Sequence, residues 1–242
     1  MSRLEIITNK PIAKAIYRME LGGAAPHRPG QFVMIQIKPG IDPFLRRPFS
    51  IMESHRDRLT IIYKVVGHGT GMLSDMPPGT MLDVLEQRGN GFRLDPQASS
   101  VCLIGGGTGI PPLFGLANVL QSMGKTITTV LGFQSREDAF LVTEFSRFGP
   151  VHVTTMDGSL GLKGTILKCE SEFLSQPYYA VGPLAMLREI TTRSENGQIS
   201  LEERMGCGFG VCMGCTIQTR NGPRQVCVDG PVFYAKEIIW DN

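Results

Sequence analysis

Four of the six cysteines lie close together near the carboxyl end of the chain. Cys207, Cys212, Cys215 and Cys227 have the spacing C-x4-C-x2-C-x11-C, whose first part matches the short-range pattern of plant-type 2Fe-2S ferredoxins. The glycines between them suit a loop wrapped around a cluster, because such a loop needs positive φ angles and N–H groups aimed at sulfur: Gly206, Gly208, Gly210 and Gly214. The segment therefore predicts a 2Fe-2S site.

Two other interpretations of the cysteines remain open. A structural zinc site usually combines two C-x2-C pairs, whereas four residues separate the first pair here. Disulfides are typical of secreted proteins, and the first residues contain no apolar stretch that would direct secretion. Cys102 and Cys169 lie far from the other four in apolar or mixed sequence, which predicts buried thiols. Met205 and Met213 are predicted to shield the cluster sulfurs from water.

Two stretches in the first third of the chain contain residue types that suit a flavin dinucleotide. "RRPFSI" includes Arg47, which suits a pyrophosphate, and Ser50, which suits a phosphate or an isoalloxazine edge. "IIYKVVGHGTGML" leads from an apolar strand into a glycine-rich turn at 68–71, where backbone N–H groups favour an anion. Together the two stretches predict an FAD site.

A third stretch, "CLIGGGTGIPPLFGLA", has the strand, glycine turn and helix expected at a nucleotide pyrophosphate. It departs from G-x-G-x-x-G because Pro112 occupies the position of the third glycine. The acidic residue expected on the ribose is missing directly after "TITTVLGF", where Gln134, Ser135 and Arg136 follow. "VGP" at 181–183 is predicted to line the same crevice.

The pattern of predicted elements divides the chain into three parts. Residues 1–97 contain six short strands between Gly and Pro turns, which predicts a six-stranded antiparallel barrel with a short helix at "GMLSDM". Residues 98–199 alternate strand and helix, with helices at "EDAFLVTEFSRFG" and "GTILKCESEFL", which predicts a doubly wound parallel sheet. Residues 200–242 are too few for a hydrophobic core of their own. The fold class is therefore a β-barrel plus an α/β domain and a small cysteine-rich domain.

Composition and missing motifs exclude several classes of function. The net charge of +2 gives no sign of a nucleic-acid partner, and no apolar stretch is long enough to span a membrane. These features predict a cytoplasmic protein. No G-x-S-x-G, paired-carboxylate or H-E-x-x-H motif is present, so the sequence has no evident acid–base machinery. That absence is typical of an electron carrier.

Four motifs occur in an order that resembles a known family: "RRPFSI", "IIYKVVGHGT", "IGGGTGIPPLFGLA" and "ERMGCGFGVCMGC" through "VCVDGPVF". They are similar to the ferredoxin reductase superfamily and, within it, to the electron-transfer subunits of class 1B dihydroorotate dehydrogenases. The resemblance covers essentially the whole chain and is most specific in the cysteine segment. It implies an FAD-binding barrel at 1–97, an NAD-binding domain at 98–199 and a 2Fe-2S domain at 200–242.

The resemblance also implies which residues bind each cofactor. For FAD these are Arg47, Pro48, Phe49, Ser50, Ile62, Tyr63, Lys64, Gly69 and Thr70. For NAD they are Gly105, Gly106, Gly107, Thr108 and Gly109. For the 2Fe-2S cluster they are the four clustered cysteines. Ser135 and Arg136 leave NADP open, since some superfamily members hold a 2'-phosphate at this place.

The implied activity is that of an oxidoreductase subunit working in a complex for pyrimidine (UMP) biosynthesis. A separate FMN-containing catalytic subunit would oxidise dihydroorotate, and electrons would pass through the cluster and FAD to NAD+. The family assembles as a heterotetramer of two catalytic and two electron-transfer subunits, with no nucleic acid and no membrane. Two alternatives remain: a subunit of a related ferredoxin:NADP oxidoreductase or sulfide dehydrogenase complex, and a zinc-stapled binding module without redox activity.

Overall fold

The amino-terminal part of the chain folds into a closed six-stranded barrel. The computed structural model describes residues 1–40, 42–169 and 171–240. The barrel strands are β1 Ser2–Ala13, β2 Ile16–Gly22, β3 Phe32–Gln36, β4 Arg47–His55, β5 Arg58–Lys64 and β6 Met81–Arg88. They pair antiparallel in the order β1-β2-β5-β4-β3-β6, and the short helix α1 His68–Ser74 follows β5. This confirms the predicted barrel and its helix.

Alternation of apolar residues explains why these segments form strands of a filled barrel. Leu59, Ile61 and Tyr63 of β5 face the barrel interior, where alternate residues of the other strands also pack. Ile62, between them, points outward and joins a second core that the barrel shares with the following domain. One strand thus carries apolar residues on both faces, because both faces are covered.

The second half of the chain contains a seven-stranded sheet with helices against it. Its first strands and helices are β7 Ser100–Gly106, α2 Pro111–Ser122, β8 Thr126–Phe133, α3 Val142–Phe145, β9 Val151–Thr155, β10 Leu162–Lys163, β11 Tyr178–Val181, α4 Leu184–Arg193 and β12 Gly197–Ser200. The hairpin strands β13 Thr216–Thr219 and β14 Gly222–Gln225 follow, and β15 Val232–Tyr234 completes the sheet. The order is β10-β9-β8-β7-β11-β12-β15, with parallel pairing except that β15 runs antiparallel to β12.

The two faces of this sheet are covered by different helices. Val101 and Leu103 of β7 pack with residues of α2, whereas Cys102 and Ile104 pack on the other face with Leu187 of α4. A strand that alternates between two apolar cores is buried on both sides, as parallel sheets require. The predicted doubly wound sheet is confirmed, and the buried Cys102 and Cys169 confirm the prediction for those two thiols.

Two predicted helices in this domain are wrong. In "EDAFLVTEFSRFG" the structure has a 3-10 turn at Arg136–Asp138 and then only the four residues of α3, because Leu141 adopts a φ of +61° that interrupts any longer helix. In "GTILKCESEFL" it has two 3-10 turns, Ile166–Lys168 and Ser171–Leu174, separated by extended backbone at Cys169. Glu170 within that stretch lies outside the described residues. In both places the apolar residues are spaced as in an amphipathic helix, although they are buried from short turns.

The cysteine-rich segment shares the cores of its neighbours. Cys215, Val226 and Cys227 are buried in one apolar cluster together with Phe32 and Met34 of the barrel and residues of the sheet. Its strand β15 pairs with β12, so the segment is attached to the sheet as well. Burial against both domains compensates for the small size of the segment. No helix among the described residues is long and apolar enough to cross a membrane.

Candidate functional site

The loop from residue 207 to 227 directs backbone N–H groups at cysteine sulfurs. Cys207 Sγ accepts hydrogen bonds from the amides of Phe209 and Cys212, at 3.5 and 3.4 Å. Cys215 Sγ accepts one from the amide of Cys227 at 3.4 Å. Cys215 and Cys227 are buried, Cys207 is half-buried and Cys212 is exposed. Amide donors of this kind stabilise thiolate sulfur, which is the form that binds iron.

Neighbouring groups shift the pKa values of the first and last of these thiols in opposite directions. Burial raises the pKa of Cys207, but N–H groups of Cys212 and Phe209 and the Cys212 thiol outweigh it and lower the pKa to about 6. Burial and then the neighbouring Cys215 thiol raise the pKa of Cys227 to about 12. Cys207 also raises the pKa of Cys227, so the first and last cysteines are near each other. A positive charge brought by bound metal would relieve this repulsion.

The donor set suits a 2Fe-2S cluster, because four thiols lie in one segment and backbone amides donate to the sulfurs of Cys207 and Cys215. Among the described residues, no group of three or more His, Cys, Asp or Glu side chains is arranged to hold a single metal ion. Gly208 has a φ of +77°, and a Cβ built on it would lie 2.7 Å from Cγ of the buried Met34. This glycine therefore lets the loop lie directly on barrel strand β3. Gly210 also has a positive φ, as predicted, whereas Gly206 and Gly214 do not, so the prediction is wrong for those two.

The two methionines near the cysteines differ. Met205 is half-buried and packs against the apolar cluster that contains Cys215 and Cys227. Met213 is 62% exposed, so in this chain alone it does not cover sulfur. Phe209, Val211 and Val228 are similarly open, at 53%, 75% and 49%. We call Phe209, Val211, Met213 and Val228 the cysteine-loop patch.

A cavity of about 290 Å³ lies between the barrel and the segment that leads to the cysteines. Most of the predicted FAD residues line it, namely Pro48, Phe49, Ser50, Ile62, Tyr63, Lys64 and Thr70. Met205 and Pro231 close the side that faces the cysteine segment. The cavity therefore lies between the barrel wall and the cysteine-bearing segment, as a flavin next to a cluster requires.

Two predicted FAD residues, Arg47 and Gly69, lie beside each other but are not among those that line this cavity. The Arg47 guanidinium would lie 3.5 Å from a Cβ built on Gly69, and it also donates to the Leu45 carbonyl. In the same turn the Thr70 hydroxyl accepts the amides of Val66 and Gly67, at 2.9 and 3.2 Å, and so caps the start of α1. Exposed His68 lies 3.6 Å from Asp42. These contacts put the arginine and the glycine turn on one side of the barrel.

The wall of the cavity is fixed by a buried tyrosine. The Tyr63 hydroxyl donates to Asn9 Oδ1 at 3.0 Å, and burial raises the pKa of this phenol. Its ring stacks on Tyr17 and meets Phe49 edge-on, with centroid distances of 5.7 and 5.6 Å. A hydroxyl already bonded inside the barrel leaves the ring to act as a rigid apolar support.

A second cavity, of about 380 Å³, lies where the glycine turn after β7 meets the turn after β11. Gly106, Gly107, Thr108 and Gly109 line it, as does Gly182 of the "VGP" motif. A Cβ on Gly109 would lie 2.6 Å from the backbone of Val181 and Gly182, so only glycine permits the two turns to approach. Of the predicted nucleotide residues, Gly105 lies beneath the turn and packs against Ile110 and Leu113.

The two cavities adjoin at three residues: Lys64, Thr108 and Glu202 line both. The Lys64 ammonium lies 3.5 Å from Asp138 in the second cavity, which links barrel and sheet. Burial by surrounding protein raises the pKa of Glu202, although the residue as a whole is exposed to solvent. A molecule in one cavity would therefore contact a molecule in the other.

Asp138 and Glu202 are functional candidates that the sequence analysis missed. Asp138 lies five positions after β8 ends, beyond residues 134–136, where the acid that binds the ribose was expected. It accepts a hydrogen bond from the Ser135 hydroxyl at 2.7 Å. The Arg136 backbone amide donates to the Ser159 hydroxyl at 2.8 Å, and its guanidinium Nε donates to the Ser159 carbonyl at 3.0 Å. Arg136 is not among the residues that line the cavity. The "LEERM" stretch before the first cysteine was the available signal for Glu202.

Comparison with known proteins gives matches for the cysteine segment and for the whole chain. Residues 202–239 match the family model described as the iron-sulfur cluster binding domain of dihydroorotate dehydrogenase B. The chain is 40% identical to the electron transfer subunit of dihydroorotate dehydrogenase B (NAD+) from Geobacillus sp. (strain WCH70), covering 98% of each chain. It is 37% identical to the subunit of the same name from Fusobacterium nucleatum, covering 95% of each.

Solved structures show the same architecture. A chain in the structure of an NADH-dependent reduced ferredoxin-NADP oxidoreductase superimposes with a TM-score of 0.88 at 29% identity, covering 99% of this chain and 91% of that one. Phthalate dioxygenase reductase superimposes with a TM-score of 0.68 at 19% identity, covering 90% and 86%. The second likeness concerns the fold alone.

Proposed function

The chain belongs to the family of dihydroorotate dehydrogenase B (NAD+) electron transfer subunits, and from this premise we propose that it carries electrons from a dihydroorotate-oxidising partner to NAD+. The observation that supports this most is the arrangement of three sites in a row. Met205 and Pro231, which flank the cysteine loop in the sequence, line the first cavity, and the first cavity adjoins the second at Lys64, Thr108 and Glu202. Such a row suits a relay, because each group would lie next to the one with which it exchanges electrons.

The cofactors of the family are FAD, a 2Fe-2S cluster and NAD as co-substrate, and the residues present fit them. FAD, when bound, supplies exchange between single electrons and a hydride. We assign its ring to the cavity walled by 48–50 and 62–64, and its pyrophosphate to the side that carries Arg47, Gly69 and Thr70. The nucleotide belongs in the second cavity with Gly105–Gly109. The cluster belongs on Cys207, Cys212, Cys215 and Cys227.

Electrostatics in the second cavity favour NAD over NADP. Asp138 and Glu202 place two carboxylates around one lysine, and the Arg136 guanidinium is turned to Ser159. An extra 2'-phosphate near these carboxylates would be repelled. The names of the relatives agree, since each specifies NAD+.

The partner subunit is proposed to cover the cysteine-loop patch. Its four apolar side chains are exposed within one short region around the cysteines, and surfaces of this kind mark protein interfaces. Contact at this surface would bring the partner's donor, an FMN, close to the cluster and cover the exposed Cys212. We propose a heterotetramer of two catalytic and two electron-transfer subunits, located in the cytoplasm, and retain the division into domains 1–97, 98–199 and 200–242.

The related ferredoxin:NADP oxidoreductase or sulfide dehydrogenase role is not favoured. Sequence identity is 40% to the dihydroorotate dehydrogenase subunits but 29% to the chain from the ferredoxin-NADP oxidoreductase structure, at nearly equal coverage. The two roles share their cofactor sites, so the difference lies in the partner. Identity over the whole chain therefore favours the dihydroorotate dehydrogenase role.

The test is dihydroorotate-dependent reduction of NAD+ by this chain, measured with and without a dihydroorotate dehydrogenase catalytic chain. We expect activity only when both chains are present. Rapid oxidation of NADH by an artificial acceptor, measured on this chain alone, is the control for an intact flavin and nucleotide site. A positive control without any dihydroorotate-dependent activity in the mixture would contradict the proposed partner.

A further inference from the structure

We propose that Asn90 is a positioning residue that fixes the segment 227–232, which begins at the last cysteine of the cysteine loop, against the flavin cavity, an inference that rests on the proposed function. Asn90 follows the end of β6, two residues after Arg88. Its backbone amide donates to the Gly230 carbonyl at 2.7 Å. Its side chain also bonds to residues on either side of Gly230, so a residue of the barrel holds the segment that carries Cys227.

The loop that Asn90 holds runs from residue 227 to 232. Cys227 stands at one end, where its amide bonds to Cys215 Sγ. Pro231, four residues later, lines the flavin cavity, and its carbonyl accepts the amide of Leu201, which also lines that cavity. A shift of this loop would therefore move a cluster ligand and a wall of the flavin cavity together.

The Asn90 side chain bonds on both sides of Pro231. Its Nδ2 donates to the carbonyls of Asp229 and Val232, each at 2.8 Å. Its Oδ1 accepts the amide of Val232 at 3.2 Å. An amide side chain provides two donors and an acceptor on one rigid plane, and this site uses all three functions. Asp lacks the two donors, and Ala lacks both the donors and the acceptor.

The residue before Asn90, Gly89, packs closely against the segment 227–232. A Cβ built on the preceding Gly89 would lie 2.4 Å from Pro231 Cδ and 2.9 Å from the Gly230 carbonyl oxygen. The barrel backbone therefore touches the loop at the point where Asn90 binds it. Electron transfer slows steeply with separation, so a loop fixed at both ends keeps the transfer distance constant.

The experiment compares Asn90→Ala and Asn90→Asp with the control Asn196→Ala in the chain purified with its cofactors. Asn90→Asp keeps the side-chain size but places a carboxylate against two carbonyl oxygens. Asn196 lies in an exposed turn away from both cavities. Stopped-flow mixing with NADH follows flavin bleaching and then cluster reduction as separate phases. Hydrogen–deuterium exchange of the Val232 amide measures the hydrogen bond between Val232 and the Asn90 side chain, independently of activity.

We expect flavin bleaching to stay near the wild-type rate and cluster reduction to slow by about tenfold to hundredfold in both Asn90 variants. In Asn90→Ala the Val232 amide should exchange at least about tenfold faster, because its acceptor is lost. Unchanged cluster reduction, unchanged exchange, or loss of the iron itself would each overturn the positioning role. Absence of FAD and iron from the wild-type chain would instead overturn the proposed function on which this inference rests.

Discussion

Replacing Gly208 by alanine tests whether the cysteine loop depends on its contact with the barrel. The matched control is Gly222→Ala in the β13–β14 hairpin, because both glycines have positive φ, +77° and +89°. At Gly222 a Cβ meets nothing within 4 Å, whereas at Gly208 it meets Met34 Cγ at 2.7 Å and two further Met34 atoms at 3.2 Å. The two variants share the backbone cost and differ in the collision.

The backbone cost of an L-residue in this region is about 1–2 kcal/mol. Met34 is fully buried and cannot swing into solvent, so the collision adds about 1–3 kcal/mol of overpacking. Gly208→Ala should therefore unfold about 2–12 °C below Gly222→Ala, using about 2–4 °C per kcal/mol for a chain of this size. Thermal circular dichroism measures the shift, and iron content should fall in Gly208→Ala only. Equal melting temperatures with equal iron content would refute the claim that Met34 supports the loop.

Three further predictions concern the thiols, the nucleotide and the glycine turn. In the metal-free chain, iodoacetamide should modify Cys207 before Cys227 at pH 7, because their pKa values are about 6 and about 12. The rate of Cys207 modification should fall as the pH drops below about 6, because the thiolate is then protonated. Peptide mass spectrometry measures both rates, and equal rates would contradict this prediction. Asp138→Asn should raise the affinity for NADPH relative to NADH by roughly fivefold, since one carboxylate charge near a 2'-phosphate contributes about 1 kcal/mol; an unchanged ratio of Kd values in titration would place the 2' position elsewhere. Gly109→Ala should destabilise the chain by about 1–3 kcal/mol through collision with the turn after β11. Gly71→Ala in α1 should be neutral or stabilising, because a Cβ built on Gly71 has no atom within 4 Å. Denaturant melts measure the free energy of unfolding of both variants, and a less stable Gly71→Ala than Gly109→Ala would refute this reasoning.

The barrel, the sheet and the cysteine loop were predictable because each carries a local signal. The apolar stretch before the glycine turn at 68–71 predicted β5, and the cysteine spacing predicted a 2Fe-2S site without any long-range information. The family resemblance gave residues 48–50 and 62–64, which line one cavity in the structure. Their assignment to a bound flavin stays a prediction.

Features that depend on distant parts of the chain were not predictable. Asp138 lines the second cavity from a 3-10 turn, at a place where the apolar pattern predicted a longer helix. Glu202 becomes part of two cavities through the path of the chain after β12. The pairing of β15 with β12 likewise joins residues 32 positions apart, Ser200 and Val232. A linear pattern contains none of these juxtapositions.

The most direct test of the relay is a measurement of iron, acid-labile sulfide and FAD in the purified chain, in Cys212→Ser and in the control Cys102→Ser. Cys102 is buried in the sheet core, away from the cysteine loop. The account predicts equal iron and sulfide together with FAD in the wild type and in Cys102→Ser, and loss of iron and sulfide with FAD retained in Cys212→Ser. Full iron and sulfide in Cys212→Ser, or a wild-type chain that binds neither cofactor after reconstitution, would contradict it.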